Sequence, residues 1–392
     1  MKYNFDSCTS RIGTNSIKWK FADENKLNDF APLWIADMDF DVLPEITEAL
    51  VNRAKHPIYG YTVPSEEIYD EIISWQKRHH NIDIKKEEII FSTGVVHSYG
   101  QMLDTFLAKD EKVIVNSPIY PPFFGTPDAF EREVVYSPMI EVEGGWKFDF
   151  EGFEKLIKED KKIRMFNLCN PYNPLNVNWT LEELNRMMEI CHRYGLYVSS
   201  DEIHSDLIMP GFDFVSALKV NKEFQDKLIV SFSPTKTFNI AGLEVSYVVI
   251  PNKEIREQFN RTAHGIGLSS INIFGYEALL AAYKNGDEWL KEATSYMYEN
   301  FKFVKQYLNE RMPMANLNIP EATYLGLLDL RNIDLPEDLA DRLMKEAHVQ
   351  FNPGQAFHAD HRCLRINVAC PRAQLEKGLE ALRNWLTVNK YI

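Results

Sequence analysis

The chain has 392 residues, 45% hydrophobic and 26% charged, an ordinary globular balance that excludes a disordered or low-complexity protein. A formal net charge of −14 argues against broad binding to nucleic acid or anionic membranes, while leaving room for a local basic pocket. Five scattered cysteines without a CxxC pair exclude a disulfide framework or zinc ribbon, and no run approaches the ~18 apolar residues of a membrane span.

Met1–Asp6 has no apolar core of signal-peptide length, so a cytoplasmic location is expected. The first forty residues are polar until Pro32-Leu33-Trp34-Ile35-Ala36-Asp37-Met38-Asp39-Phe40, a cluster suited to core packing or to a binding wall. Tyr59-Gly60-Tyr61-Thr62-Val63-Pro64 is a turn carrying two aromatics. Ile68, Ile72, Ile73 and Trp75 then mark one face of a helix, and Glu88–Ser92 reads as a strand. Thr93-Gly94-Val95-Val96 opens another helix, with Tyr99, Met102, Leu103, Phe106 and Leu107 on one face. Strand, glycine turn and helix amino terminus aim the N–H groups of Val95 and Val96 at an anion.

Lys112–Asn116 is a buried strand ending in the proline-stiffened loop Ser117–Phe123, on which Tyr120 can stack against a planar ring. Arg164–Cys169 leads into Asn170-Pro171-Tyr172-Asn173-Pro174-Leu175-Asn176. Thr180 and Glu183 form a capping box with Trp179 placed to staple Leu184, and helical spacing continues until Gly195. This helix joins two strands into a βαβ unit, the second strand, Leu196–Ser200, ending in Asp201-Glu202-Ile203-His204.

Leu228–Phe232 precedes Ser233-Pro234-Thr235-Lys236-Thr237-Phe238-Asn239, so a lysine sits just past a buried strand among small hydroxyl and apolar residues. Burial depresses an amine's pKa and makes it a nucleophile able to form a Schiff base, and Ser233 and Thr235 offer hydroxyls to a phosphate. A Schiff-base lysine with a carboxylate for a pyridinium nitrogen, here Asp201, is the arrangement pyridoxal 5'-phosphate needs.

Glu244–Ile250 is a further strand, and the glycine-containing run 264–270 lacks the third glycine and preceding strand of a dinucleotide site. A long helical stretch begins near Trp289. Arg365, in the apolar run Leu364-Arg365-Ile366-Asn367, needs a partner: either a structural ion pair or a carboxylate ligand gripped through two bonds. The run 358–363 has metal-binding residue types but is read as a loop, with no metal expected.

The motifs Asn170–Pro174, Asp201–Leu207, Ser233–Asn239 and Leu364–Asn367 stand in the order seen in fold-type I pyridoxal-phosphate enzymes of the class I/II aminotransferase superfamily. With Trp34–Phe40 and Tyr59–Thr62, nearly the whole chain resembles the MalY/PatB group of cystathionine β-lyases, the C–S lyases. The resemblance implies Lys236 as Schiff-base residue and general base, Asp201 on the pyridine nitrogen, and Tyr120 on the ring face. It implies Asn173 on the ring oxygen with His204 nearby, the phosphate at Val95, Val96, Ser233 and Thr235, and Tyr61 reaching that phosphate across a homodimer interface. Arg365 is implied for the substrate α-carboxylate, with Ile35 and Ala36 against the substrate. The chain departs from the pattern at Tyr172, where a histidine or similar residue is usual, and at Asn176, where glycine is usual. No phosphate-binding arginine appears between Lys236 and Arg256, as in the C–S lyase group.

The alternating pattern predicts an α/β fold with a mainly parallel central sheet, helices on both faces and ligands beyond the strands' carboxyl ends, plus a smaller α+β domain. The expected division is an N-terminal segment 1–48 packing with the small domain, a large cofactor domain 49–287 and a small domain 288–392. The expected activity is C–S β-lyase cleavage of cystathionine or a related β-thio amino acid to thiol, pyruvate and ammonia. Alternatives are an aminotransferase, which shares these residues, and a regulatory partner-binding protein.

Overall fold

The computed structural model describes all residues except Met1, Ile266, Leu268 and Ser269, so the run 264–270 lies partly outside the described residues. Its centre is a seven-stranded sheet built from β1 (Ile89–Ser92), β2 (Lys112–Ser117), β3 (Val134–Pro138), β4 (Ile163–Cys169), β5 (Tyr197–Asp201), β6 (Leu228–Phe232) and β7 (Ser246–Val249). Their order across the sheet is β1-β7-β6-β5-β4-β2-β3. All pairings are parallel except those of β7, which runs antiparallel to both neighbours. The sheet is therefore mainly parallel, as the alternating pattern predicts. The sequence reading misses β3, an edge strand paired only to β2, because its half-exposed residues make no long apolar run.

The helices that the sequence predicts all form, beside others that it does not single out. In α1 (Glu66–His80), Ile68, Ile72 and Trp75 are buried. In α2 (Val95–Phe106), whose N-cap is Gly94, Tyr99, Met102, Leu103 and Phe106 point inward. α3 (Leu181–Tyr194) carries the capping box: Thr180 Oγ1 accepts from the Glu183 amide at 3.2 Å, and Glu183 Oε2 accepts from the Thr180 amide at 2.9 Å. It stops at Gly195, whose φ of 68° is a left-handed conformation that glycine adopts without a Cβ penalty. Trp179 is buried, and its indole N–H donates to the Cys169 carbonyl at 3.0 Å, fixing the helix entry to the end of β4.

Beyond the long α4 (Asp287–Arg311), four strands form a second, antiparallel sheet: β8 (Asn316–Leu317), β9 (Leu325–Asp329), β10 (Asn352–Pro353) and β11 (Cys363–Asn367), in the order β8-β9-β11-β10. The chain ends on α5 (Arg372–Val388), with Leu375, Leu379, Leu382, Trp385 and Leu386 buried. Among the described residues no helix is long and apolar enough to cross a membrane.

The N-terminal segment joins this second sheet's surroundings through backbone pairing and hydrogen bonds, and holds a buried charge cluster of its own. Ala31–Pro32 pairs in parallel with Val349–Gln350. Lys18 and Asp39 have no exposed side-chain surface and meet at 2.8 Å, with Asp37 at 3.5 Å from the same amine and Gln374 and Trp19 donating to Asp39. Removing one partner of such a pair strands the other charge in a dry interior. Asp39→Ala is expected to cost about 3 kcal/mol, the lower end of the range for broken buried pairs because Asp37 remains, as read from urea unfolding midpoints.

Candidate active site

The carboxyl ends of β4, β5 and β6 lie level, with Cys169 opposite Asp201 and Asp201 opposite Ser231. The loops leaving them therefore open at one place. A cavity of about 530 Å³ lies there, lined by residues from 93–97, Tyr120, Cys169, Asn173, Asp201, Ile203, His204, Thr235, Lys236, Ala36, Ala241, Glu244 and Val245.

Lys236 reaches it from a single helical turn, Pro234–Thr237, capped by Ser233. Ser233 Oγ accepts from the Thr235 amide at 3.1 Å and donates to the Val245 carbonyl at 2.7 Å, so this hydroxyl is engaged in shaping the turn, while Thr235 faces the cavity. The Lys236 amine donates to the Ala36 carbonyl at 2.7 Å, and the Tyr324 hydroxyl donates to the same oxygen at 3.0 Å. Burial brings the amine's pKa down from 10.5 to about 8, against the opposing pull of Asp37 and Asp201. A neutral amine is the nucleophile, and its fraction grows as pH rises through the pKa. Aldehyde addition to Lys236 in the cofactor-free protein is expected to accelerate with pH and level off above about 8, measured by stopped-flow absorbance with pyridoxal.

At one side of the cavity stand the first turn of α2 and Gly94. The amides of Val95 and Val96 have no intrahelical acceptor at these positions, and they carry the positive end of the helix dipole. His97, also on the wall, has its Nδ1 2.6 Å from Thr93 Oγ1.

Asp201 also lines the cavity: its Oδ1 accepts from the Ile203 amide at 3.1 Å, and burial pushes its carboxyl up to about 6, with Lys236 opposing. Such a carboxyl is stabilised as an anion by a facing cation. His204 is buried, its pKa is brought down to about 3 by burial with help from Lys236 and Arg365, and its Nδ1 has no partner among the described residues. It is a neutral imidazole with a free ring nitrogen. Tyr120 also lines the cavity.

The departures at 172 and 176 preserve the loop. Tyr172 is buried against Trp179 and donates to the Pro118 carbonyl at 2.8 Å, tying this loop to the one bearing Tyr120. Asn176 takes φ 59°, a region asparagine tolerates better than other non-glycine residues, and its side chain accepts from Thr323 at 2.9 Å.

Arg365, 3% exposed, comes from β11 of the second sheet. It donates to Asn352 at 2.7 Å and, over longer contacts of 3.4 Å, to Asn173 and the Trp34 carbonyl. Its guanidinium lies over the Phe357 ring at 4.6 Å. Asn173 thus stands between the two sheets, in contact with Arg365 and on the cavity wall.

Of the residues singled out from sequence, Ala36, Val95, Val96, Tyr120, Asn173, Asp201, His204, Thr235 and Lys236 line one cavity, with Arg365 touching Asn173 at its edge. Ile35 contributes its carbonyl to Asn367, at 2.7 Å, and not its side chain to the wall. Tyr61 is fully exposed and is not among this cavity's lining residues. Sequence reasoning missed Tyr324, Asn352 and the bracing role of two asparagines. Asn239 holds the Met38 amide at 2.8 Å and the Met38 and Phe40 carbonyls at 3.0 Å each, and Asn367 holds the Ile35 and Asp37 carbonyls. Asn239, with φ 58°, and Asn367 end two of the quoted motifs, which was the available signal; nothing local marks Tyr324 or Asn352.

A buried lysine, a buried carboxyl and a helix amino terminus around one cavity define a class, and the chain belongs to the aminotransferase class I and II family, whose model matches residues 29–382. Among its relatives is the cystathionine beta-lyase PatB of Bacillus subtilis, 34% identical over 383 residues, covering 97% of this chain and 99% of that one. Among solved structures it is similar to cystalysin from Treponema denticola, which contains a pyridoxal 5'-phosphate cofactor (TM-score 0.95, 32% identity, 99% and 100% of the two chains). It is also similar to the pyridoxal-phosphate-bound C–S lyase of Staphylococcus hominis (TM-score 0.89, 31% identity, 97% of each chain).

Proposed function

We propose that this protein is a pyridoxal-phosphate-dependent C–S β-lyase that cleaves cystathionine or a related β-thio amino acid to a thiol, pyruvate and ammonia. The observation that carries the reading is the buried Lys236 amine, its pKa near 8, sharing a cavity with the Asp201 carboxyl and the free amides of α2. The donor set fits the cofactor: Lys236 for its aldehyde, Asp201 for its ring nitrogen, and Val95, Val96 and Thr235, with Ser233 behind, for its phosphate. Tyr120 would cover the ring face, and Asn173 and the unpartnered His204 the ring oxygen. When bound, the cofactor supplies an electron sink for the carbanion formed at the substrate Cα.

The chain's own residues do the rest. Arg365 binds the substrate α-carboxylate and so fixes which Cα bond lies toward Lys236. Lys236, returned to the free amine, removes the α-proton as general base, and the Ala36 carbonyl is the acceptor that holds it beside the substrate. Loss of the β-thiolate follows. Asp201 would hold the ring nitrogen protonated through its negative charge.

The proposal extends to a cytoplasmic homodimer and to the division into 1–48, 49–287 and 288–392. Support for the dimer is the exposure of Tyr61 beside exposed Ile58, Tyr59 and Val63, an apolar strip suited to a second copy. The test is release of pyruvate and free thiol from L-cystathionine by cofactor-loaded protein without an oxo acid. Turnover only after an oxo acid is added would make the protein an aminotransferase.

A further inference from the structure

A buried arginine ordinarily meets a carboxylate, because an uncompensated charge in a dry interior is costly. Arg365 does not. Among the described residues its polar contacts are two side-chain amides and one backbone carbonyl, and only the Asn352 bond, at 2.7 Å, is short. Its Nε is buried with no partner at all. Asp37, the acidic residue nearby in the chain segment that passes Ala36, is engaged by Arg11 at 2.7 Å and Lys18 at 3.5 Å. The pairing is built into the sheet: Asn352 in β10 is the register partner of Arg365 in β11, so the two side chains share one face. Burial lowers the Arg365 pKa to about 10, with Tyr120 and Tyr324 opposing.

We propose that Asn352 is a positioning residue: it orients the Arg365 guanidinium while leaving its positive charge unspent, so that a monoanionic α-carboxylate of the substrate completes the site. This inference rests on the proposed role of Arg365 as the carboxylate-binding residue. An amide oxygen at position 352 satisfies one N–H and fixes the plane of the fork. A carboxylate there would do the same and also neutralise it, and an incoming carboxylate would then add a second negative charge to a buried site.

The experiment uses the cofactor-loaded enzyme and two readouts, steady-state kinetics with L-cystathionine and competitive inhibition by 3-(methylthio)propionate, a carboxylate with no amine. Asn352→Asp is expected to raise both KM and the inhibition constant by about 100-fold while kcat changes less than the KM does. Asn352→Ala, which removes the brace and adds no charge, is expected to raise both by about tenfold. Cofactor affinity, titrated by absorbance, is expected to be unchanged in both, since Asn352 does not line the cofactor cavity. Equal KM and inhibition constants in the wild type and Asn352→Asp would overturn the inference. Should Asn352→Asp not fold, Asn352→Ala decides alone, with constants within twofold of the wild type overturning it. A wild-type protein that neither turns over the amino acid nor binds the propionate would instead sink the reading of Arg365 itself.

Discussion

Lys236→Ala is expected to abolish lyase turnover, with a loss of at least about three orders of magnitude, because one side chain both carries the cofactor and moves the α-proton. Borohydride reduction of the loaded wild type should leave the cofactor on the peptide bearing Lys236, and reduction of the variant on none, as read by mass spectrometry. Stability should move the other way. Below pH 8 the folded protein bears the full penalty of a protonated amine that would rather be in water, and the penalty fades as pH rises from about 8 to 10.5. Removing the amine is therefore expected to stabilise the cofactor-free protein at pH 7 by on the order of 3 kcal/mol, less the bond to the Ala36 carbonyl. Thermal melts of the two cofactor-free proteins check it. An unfolding temperature that falls in the variant would show that Lys236 is a structural lysine.

Asp201→Asn is expected to lower kcat by about 10²- to 10³-fold while leaving the cavity's shape intact, because the substitution removes only the negative charge that faces the ring nitrogen. In the cofactor-free wild type the carboxyl is charged above about pH 6 and neutral below it. Its help to cofactor binding is thus present at neutral pH and lost as pH falls through that value. Cofactor affinity of the wild type should therefore weaken relative to the variant's own pH profile between about pH 7 and 5, measured by absorbance titration of both proteins. Parallel profiles would exclude Asp201 as the ring-nitrogen partner.

The two substitutions separate roles that the geometry keeps apart. Lys236 is fixed by a local device, a Ser233-capped turn following a wholly buried strand. Asp201 is fixed by register, since it ends the strand that lies between those leading to Asn173 and Lys236. A displacement of β5 by one residue would turn its side chain to the other face of the sheet.

By itself the sequence determined the elements whose causes are local. The capping box at Thr180, the left-handed helix stop at Gly195, the left-handed turn residue Asn176, the apolar strands ending near 169, 201 and 232 and the helix after Gly94 all follow from residue type and spacing. It also indicated where the candidate residues gather, because loops that leave parallel strands at one edge of a sheet must converge there. Tertiary structure decided the rest. Whether a buried strand runs with or against its neighbours leaves no trace in its apolarity, so the antiparallel β7 could not be read from Ser246–Val249. An edge strand such as β3 buries too little to announce itself. Above all, the partners of Arg365 are Asn352, Asn173 and Trp34, and that of Lys236 is the Ala36 carbonyl, which also accepts from Tyr324; most of them are far away in the chain, brought together only when the second sheet and the N-terminal segment close over the first. Contacts of that separation depend on packing between elements, which no local pattern encodes.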